Sequence, residues 1–375
     1  MEYIHIVAAT DKKFVQYLGV MLTSLFENFH ATDKKLFIHI LISAEVSVNE
    51  IELLETMCNQ YDVKVEFLKI DDGRYDDFFV SHHISLATYF RISISELLNE
   101  DIHRAIYLDS DLIVKGNIAE LWNTDLKGKI IGAIDDPLGN LRMDELQIPF
   151  IYSYFNAGVL VIDLENWRKQ QITKKVLAYI KENPTKLVYW DQDALNAILY
   201  DKRMSIHPKW NVQTVMYQDN YESLFDKDEY RDAITNPAII HYTSASKPWH
   251  ITNNHPLKDE YKHYLQQSLW RNDELVSLSP TRMIMEKSNI FIFGTGTLAE
   301  RFIERTGISV NGFLDNDCKK WGQLFCDKQV YSPEILHSIK QDNIGIIIVS
   351  SFYQEISKQL IQYGLKENED FVWQL

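Results

Sequence analysis

Asp109-Ser110-Asp111 sets two carboxylates two residues apart, between the apolar runs Ala105-Ile106-Tyr107-Leu108 and Leu112-Ile113-Val114. Ionised carboxylates where a buried strand ends are costly unless something positive meets them. A hard divalent cation is the simplest partner, since carboxylate oxygens suit Mg²⁺ or Mn²⁺, and such a cation can hold a diphosphate. A strand followed by a polar turn uses the same residue types, so the rest of the chain must decide between them. Three more groups bear on the choice: Asn156-Ala157-Gly158, Asp191-Gln192-Asp193, and the stretch from His241 through Lys247 to His250. Two Asp and one His, namely Asp109, Asp111 and His241, make a facial set for Mn²⁺ that leaves positions for phosphate oxygens and water. Lys247 adds a cation for the same diphosphate. Asn156, Asp191 and Gln192 are then free for sugar hydroxyls, and a carboxylate such as Asp191 can stabilise positive charge developing at a reacting carbon. Each group also has a plainer role. Asn156 and Gly158 can make a turn, and Asp191 can cap a helix that Asp193 favours through its dipole. In the third group, His241 can be a satisfied core histidine, and Lys247 a solvated charge.

The elements that would position these groups alternate along the chain. Tyr3 to Ala9 reads as a buried strand, Thr10-Asp11 as a turn or cap, and Phe14 to Phe29 as a helix with apolar Leu18, Met21, Leu22, Leu25 and Phe26. Leu36–Ile42 and Val63–Leu68 read as strands around a helical Val48–Cys58. Such alternation marks a parallel sheet with helices on its faces. Ligands of open sheets of that kind bind beyond the carboxyl ends of the strands, where Thr10, Asp11, Asp109 and Asp111 all fall. Ala194–Tyr200 and Leu257–Trp270 read as helices, and Ala238-Ile239-Ile240 as a strand ending in His241. The polar stretch after residue 270 reads as a linker, dividing the chain into 1–270, a linker 271–287 and a small unit 288–375. The small unit reads β-α-β, with Gly294-Thr295-Gly296 after the strand Asn289–Phe293 and Asp315 about twenty residues on, the pattern of a dinucleotide fingerprint. It is too short for a full NAD domain.

With 375 residues, 46% of them apolar, the chain can build two or three domains. A formal net charge of −15 argues against general nucleic-acid binding. Three cysteines, at 58, 318 and 326, fit no zinc spacing and point to reduced thiols in the cytoplasm. No apolar stretch reaches bilayer length, and no basic segment followed by an apolar one opens the chain. The expectation is a cytoplasmic protein, with association at the inner face of the membrane left open.

Ala8-Ala9-Thr10-Asp11, Tyr107-Leu108-Asp109-Ser110-Asp111, Tyr154-Phe155-Asn156-Ala157-Gly158, Trp190-Asp191-Gln192-Asp193 and His241 to His250 stand in the order of the motifs of glycosyltransferase family 8, which residues 1–270 resemble. The resemblance implies an α/β GT-A fold (Rossmann-like, a single nucleotide-binding catalytic domain), a UDP-sugar donor, Mn²⁺ or Mg²⁺, and hexose transfer with retention of anomeric configuration. It implies that Ala9, Thr10 and Asp11 meet the base and ribose. Asp109, Asp111 and His241 would hold the metal, with Ser110 by the ribose or diphosphate. Arg91 would contact the donor sugar and phosphate, Asn156, Ala157, Asp191 and Gln192 would face the sugar, and Ser244 and Lys247 the diphosphate. Gln192 stands where a nucleophile would be expected, but an amide is a poor one, which favours front-side substitution with Asp191 as electrostatic partner or sugar anchor. UDP-glucose or UDP-galactose is the implied donor and a cell-surface glycan or glycoprotein the acceptor. A sugar-nucleotide-binding protein and a nucleotidyltransferase are the alternatives; the latter would carry a Gly-rich basic loop that Ala8–Phe14 lacks. Residues 288–375 resemble the small Rossmann-like α/β domains appended to bacterial polysaccharide-biosynthesis enzymes, which implies a structural, weak nucleotide-binding or homo-oligomer pairing role.

Overall fold

The computed structural model describes residues 2–70, 75, 86–218, 221–243, 246–250, 253–271, 284, 287–339, 343–350, 352–367 and 369–373. Contacts divide the chain into two compact units, Met1–Thr243 with His263–Arg271, and Ser244–Lys262 with Asn272–Leu375. In the first, the strands are β1 (Glu2–Thr10), β2 (Lys34–Ile42), β3 (Lys64–Lys69), β4 (Arg104–Leu108), β5 (Leu112–Val114), β6 (Ile131–Ala133), β7 (Val159–Asp163), β8 (Arg203–Ser205), β9 (Val212–Gln213) and β10 (Ile239–His241). Seven of them form a sheet in the order β3-β2-β1-β4-β7-β6-β8, and β5-β10-β9 form a second, smaller sheet.

The helices that alternate with β1, β2 and β3 are Val15–Glu27 and Val48–Gln60. The second starts at a capping box, Ser47 with Glu50, which satisfies backbone N–H groups at both residues. Strands β3, β2, β1 and β4 pair in parallel as the alternation predicts. β7 does not: it runs antiparallel to both β4 and β6. The reversal sets the amino end of β7 beside the carboxyl end of β4, so the Asp109 N–H donates to the Gly158 carbonyl at 2.9 Å. Asn156-Ala157-Gly158 is thereby carried to the same sheet end as Asp109-Ser110-Asp111. Beneath this end lies a core that includes Val7, Ala9, Tyr89, Tyr107, Leu160 and Trp167.

Residues 263–271 pack back on the first helix. A Cβ at Gly19 would lie 2.0 Å from the Trp270 ring, and Asn28 Nδ2 reaches the Tyr264 hydroxyl at 2.7 Å and the Val114 carbonyl at 3.0 Å. Among the described residues no helix is long and apolar enough to cross a membrane.

The second unit contains β11 (Asn289–Phe293), β12 (Gly312–Leu314), β13 (Leu324–Phe325), β14 (Lys328–Tyr331), β15 (Ile344–Ile348) and β16 (Phe371–Trp373), in the sheet order β13-β14-β12-β11-β15-β16. All pairs are parallel except β13–β14. Phe291, Phe293, Ile344, Ile346 and Ile348 enter one buried cluster, and Ile292 and Ile347 the other. Side chains alternate between the faces of a strand, so both faces of this sheet are covered. Gly294 has φ +121°, and a Cβ there would meet the Val349 carbonyl oxygen at 2.5 Å, which explains the glycine. Asp315, the acidic residue of the fingerprint, accepts a hydrogen bond from Thr295 and pairs with Lys320 at 2.9 Å.

Candidate active site

β1 and β4 lie side by side, Ala8 opposite Leu108, so the Ala9-Thr10-Asp11 end of β1 and Asp109-Ser110-Asp111 after β4 come out at the same end of the sheet. Ser110 Oγ donates to the Ala9 carbonyl at 2.8 Å. Asp11 Oδ1 accepts from the Lys13 and Phe14 N–H groups at 2.8 and 3.1 Å, folding the turn into the first helix, and the buried Thr10 hydroxyl donates to the Asp11 carbonyl at 3.1 Å.

Arg91 follows the short helix Ala87–Phe90 and is buried. Its Nη1 donates to the Ala157 carbonyl at 2.7 Å and lies 3.2 Å from Asp109 Oδ1. Its Nε lies 2.8 Å from Asp191 Oδ2, while that N–H points to the Thr88 carbonyl at 3.0 Å. Among the described residues, Asp191 Oδ2 consequently accepts no hydrogen bond; Oδ1 accepts from the Thr88 hydroxyl at 2.8 Å. One guanidinium, stacked over the Tyr107 ring, thus serves two carboxylates. Burial opposes the charge on Arg91, but Asp109 and Asp191 outweigh it and hold its pKa above the ordinary value. Burial raises the Asp191 carboxyl to about 6, against the pull of Arg91 and Thr88.

The smaller sheet supplies the histidine. β5 begins one residue after Asp111 and pairs antiparallel with β10, Leu112 opposite His241. One ligand atom each from Asp109, Asp111 and His241 lie within 4.8 Å of one another, the one such cluster of three or more among the described residues. His241 Nε2 is 3.3 Å from Asp111 Oδ1 and 3.9 Å from Asp109 Oδ2. A Cβ at Gly158 would fall 2.3 Å from His241 Cε1 and 2.7 Å from Asp109 Oδ2, so glycine leaves the cluster its space. Two carboxylates and one imidazole with such spacing fit a divalent cation of the Mg²⁺ or Mn²⁺ kind.

Asn156 and Gln192 meet at a residue that the sequence reading passed over, Asp136. Its Oδ2 accepts from Asn156 Nδ2 at 3.2 Å and Gln192 Nε2 at 3.1 Å. Gln192 Oε1 accepts from the Ala157 N–H at 2.9 Å, so both ends of the amide are engaged. The pair Asp135-Asp136 ahead of Pro137 carried only a turn signal. Asn211 was also missed; it lies one residue ahead of β9, where no motif surrounds it, and its Oδ1 is 2.8 Å from His241 Nδ1.

The plainer helix-start role belongs to Asp193 rather than Asp191. Asp193 is fully buried and accepts from Val188 N–H, Tyr189 N–H and the Tyr154 hydroxyl at 2.7, 2.9 and 2.6 Å. This fixes the turn into the helix Trp190–Leu199, where Trp190 holds a left-handed φ of +47°. Such a residue costs on the order of 1–3 kcal/mol, a strain placed one residue before Asp191. Ser244 lies outside the described residues. Lys247 falls in the second unit, where its N–H donates to His250 Nδ1 at 3.1 Å. Burial, with Lys247 adding to it, lowers the His250 pKa to about 4.

The family model for glycosyl transferase family 8 matches residues 5–253, and that described as C2185-like, N-terminal, matches residues 286–370. General stress protein A of Bacillus subtilis (strain 168) is 38% identical over 275 residues, covering 72% of this chain and 95% of its own. A lipopolysaccharide 1,2-glucosyltransferase of Escherichia coli (strain K12) is 27% identical over 279 residues, covering 72% and 80%. The galactosyltransferase LgtC, solved with donor and acceptor sugar analogues, superposes with a TM-score of 0.64 at 24% identity, covering 71% of this chain and 96% of that one. The LgtC likeness establishes a GT-A fold for the first unit. Because the family match runs through both sheets of the first unit and every member of the carboxylate–histidine cluster, the chain belongs to glycosyl transferase family 8 and is a glycosyltransferase.

Proposed function

We propose that the protein transfers glucose or galactose from UDP-glucose or UDP-galactose to a glycan or glycoprotein acceptor, with retention of configuration and with Mn²⁺ or Mg²⁺ held by Asp109, Asp111 and His241. The observation that carries this reading is the convergence of those three ligand atoms within 4.8 Å, next to the Arg91–Asp191 pair. A cation bound there supplies positive charge for the diphosphate leaving group. The remaining roles belong to the chain itself. Arg91, already 2.7 Å from the Ala157 carbonyl, is placed to reach the donor phosphate and sugar. Ala9, Thr10, Asp11 and Ser110 line the end of β1 and β4 for base and ribose. Asn156, Ala157, Asp191 and Gln192 face the sugar.

The acceptor hydroxyl attacks the anomeric carbon from the face that UDP leaves. The Gln192 oxygen is occupied by the Ala157 N–H, which supports front-side substitution over attack by this amide. Asp191, buried and ion-paired with Arg91 at 2.8 Å, is the counter-charge or the anchor of the sugar. The lipopolysaccharide glucosyltransferase relative supports a place in cell-surface glycan synthesis. The second unit is a candidate surface for homo-oligomer pairing.

Release of UDP from a panel of UDP-sugars, with and without Mn²⁺, tests the reading. One UDP-hexose is expected to turn over with the metal and to stop with chelator. Asp109→Ala should remove several kcal/mol of transition-state stabilisation, roughly 10³-fold in rate, with the circular dichroism spectrum unchanged. Full activity of that variant under chelator would sink the metal assignment. Tight UDP-sugar binding without transfer or hydrolysis of any donor would favour a sugar-nucleotide-binding protein instead.

A further inference from the structure

We propose that Asn211 is a positioning residue that fixes the tautomer of His241 and so presents a bare Nε2 lone pair to a cation; the proposal rests on the reading of Asp109, Asp111 and His241 as the metal set. A backbone N–H only donates, and the Gly158 N–H lies 3.0 Å from the Asn156 amide, so the atom facing it is Oδ1. The other end of that amide then faces Asp136 Oδ2 at 3.2 Å, which only accepts when ionised. Both contacts demand the same orientation of Asn156. Because Asn156 Oδ1 is an acceptor, the Asn211 atom 2.9 Å from it is Nδ2. Asn211 Oδ1 therefore falls 2.8 Å from His241 Nδ1, and in the neutral ring that nitrogen must carry the proton. Nε2, 3.3 Å from Asp111 Oδ1, is left as the ligand atom.

Asn156, Asn211 and His241 are 6%, 0% and 4% exposed, so bulk water cannot take the place of either amide. Without Asn211, two carboxylates on the far side of the ring would favour a proton on Nε2, the tautomer that cannot ligate. A metal-bound histidine is held in this way by the partner of its second nitrogen. Here that partner is itself set, through Asn156, by the backbone of the Gly158 turn.

Nitrogen-15 spectra of the full chain labelled at histidine, metal-free and at alkaline pH, read the tautomer directly, with His241 assigned by its absence from His241→Gln. The expected form is Nδ1–H. Asn211→Leu, of similar volume but without an acceptor, should move the ring toward Nε2–H and weaken Mn²⁺ binding about 10–100-fold, measured by electron paramagnetic resonance titration. Asn211→Asp, which retains an acceptor oxygen, should keep more of that affinity than Asn211→Leu. A dominant Nε2–H form in the wild type, or wild-type Mn²⁺ affinity in Asn211→Leu, overturns the proposal. In that case the metal set still stands if the wild type binds Mn²⁺ and Asp111→Asn does not. If the wild type binds none, the metal reading falls and the ligand-presenting role falls with it, while the spectrum still shows whether Asn211 sets the ring. Should Asn211→Leu fail to fold, the wild-type spectrum alone decides.

Discussion

Arg91 holds two carboxylates whose demands differ. It sits 3.2 Å from Asp109 and 2.8 Å from Asp191, and a cation at Asp109 would relieve part of its task, leaving its Nη1 more available to a donor phosphate. A buried guanidinium of this kind suits bidentate anions. The glycine at 158 is as sharply constrained. A methyl group there would overlap both His241 and Asp109, and neither is the loose end of a long side chain. Gly158→Ala is therefore expected to displace the ligands, at about 1–3 kcal/mol of overpacking, and to weaken Mn²⁺ binding at least tenfold. Calorimetric titration checks this, and an unaltered affinity would show that the cluster can move aside without loss. At this scale the sequence was most legible where residues recur as motifs. Asp109, Asp111, Asp191 and His241 all stood beside apolar runs that marked strand or helix ends. Asp136 and Asn211 did not, because what selects them is a partner across the fold: Gln192 is 56 positions from Asp136, and His241 is 30 from Asn211.

The elements explain how such distant residues meet. β1 and β4 bring two turns together by parallel pairing, which the alternation of strands and helices foretold. The reversal of β7 was not foretold, since a buried strand reads the same in either direction. Nor was the three-stranded sheet, whose strands have three, three and two residues, too short to carry periodicity. Yet β5, β10 and β9 are what deliver Asp111, His241 and Asn211. A separate consequence sits on β1, β2 and β3. His5 Nδ1 is 2.9 Å from His39 Nε2, and His39 Nδ1 is 2.5 Å from Glu66, a chain that neutral rings satisfy. Burial, with His39 and Lys64 adding to it, lowers the His5 pKa from 6.5 to about 4, Glu66 opposing. Burial also lowers His39, against the pull of Glu66. The unfolded chain therefore takes up these protons first, so stability present above about pH 6.5 is lost progressively as pH falls toward about 4. The melting temperature should drop between pH 6.5 and 5, before most carboxylates titrate, and drop less in His39→Gln. An equal slope in both proteins would move the acid sensitivity elsewhere.

At the scale of the whole molecule, the two units have separate cores: the second closes its own sheet on both faces with Phe291, Phe293, Ile346 and Ile347. The sequence announced it through the strand–glycine–helix pattern at Asn289–Ala299, and its six-stranded sheet could be anticipated only in part because β13 and β16 are two and three residues long. Its match to a family model distinct from that of the first unit fits an appended module. Units with separate cores are expected to unfold in separate transitions, and only the one that carries Asp109, Asp111 and His241 should respond to donor and metal. A ligand at 100 times its dissociation constant stabilises the state it binds by about 2.7 kcal/mol. For a unit of this size, where about 2–4 °C accompanies each kcal/mol, Mn²⁺ with UDP should raise one calorimetric transition by about 5–10 °C and leave the other in place. Chelator should reverse the shift, and Asp111→Asn should abolish it. If both transitions rise together, the second unit either binds the nucleotide itself or unfolds as one body with the first. Repeating the scan with Asp111→Asn separates the two, because a nucleotide site on the second unit would keep its own shift when the metal cluster is gone.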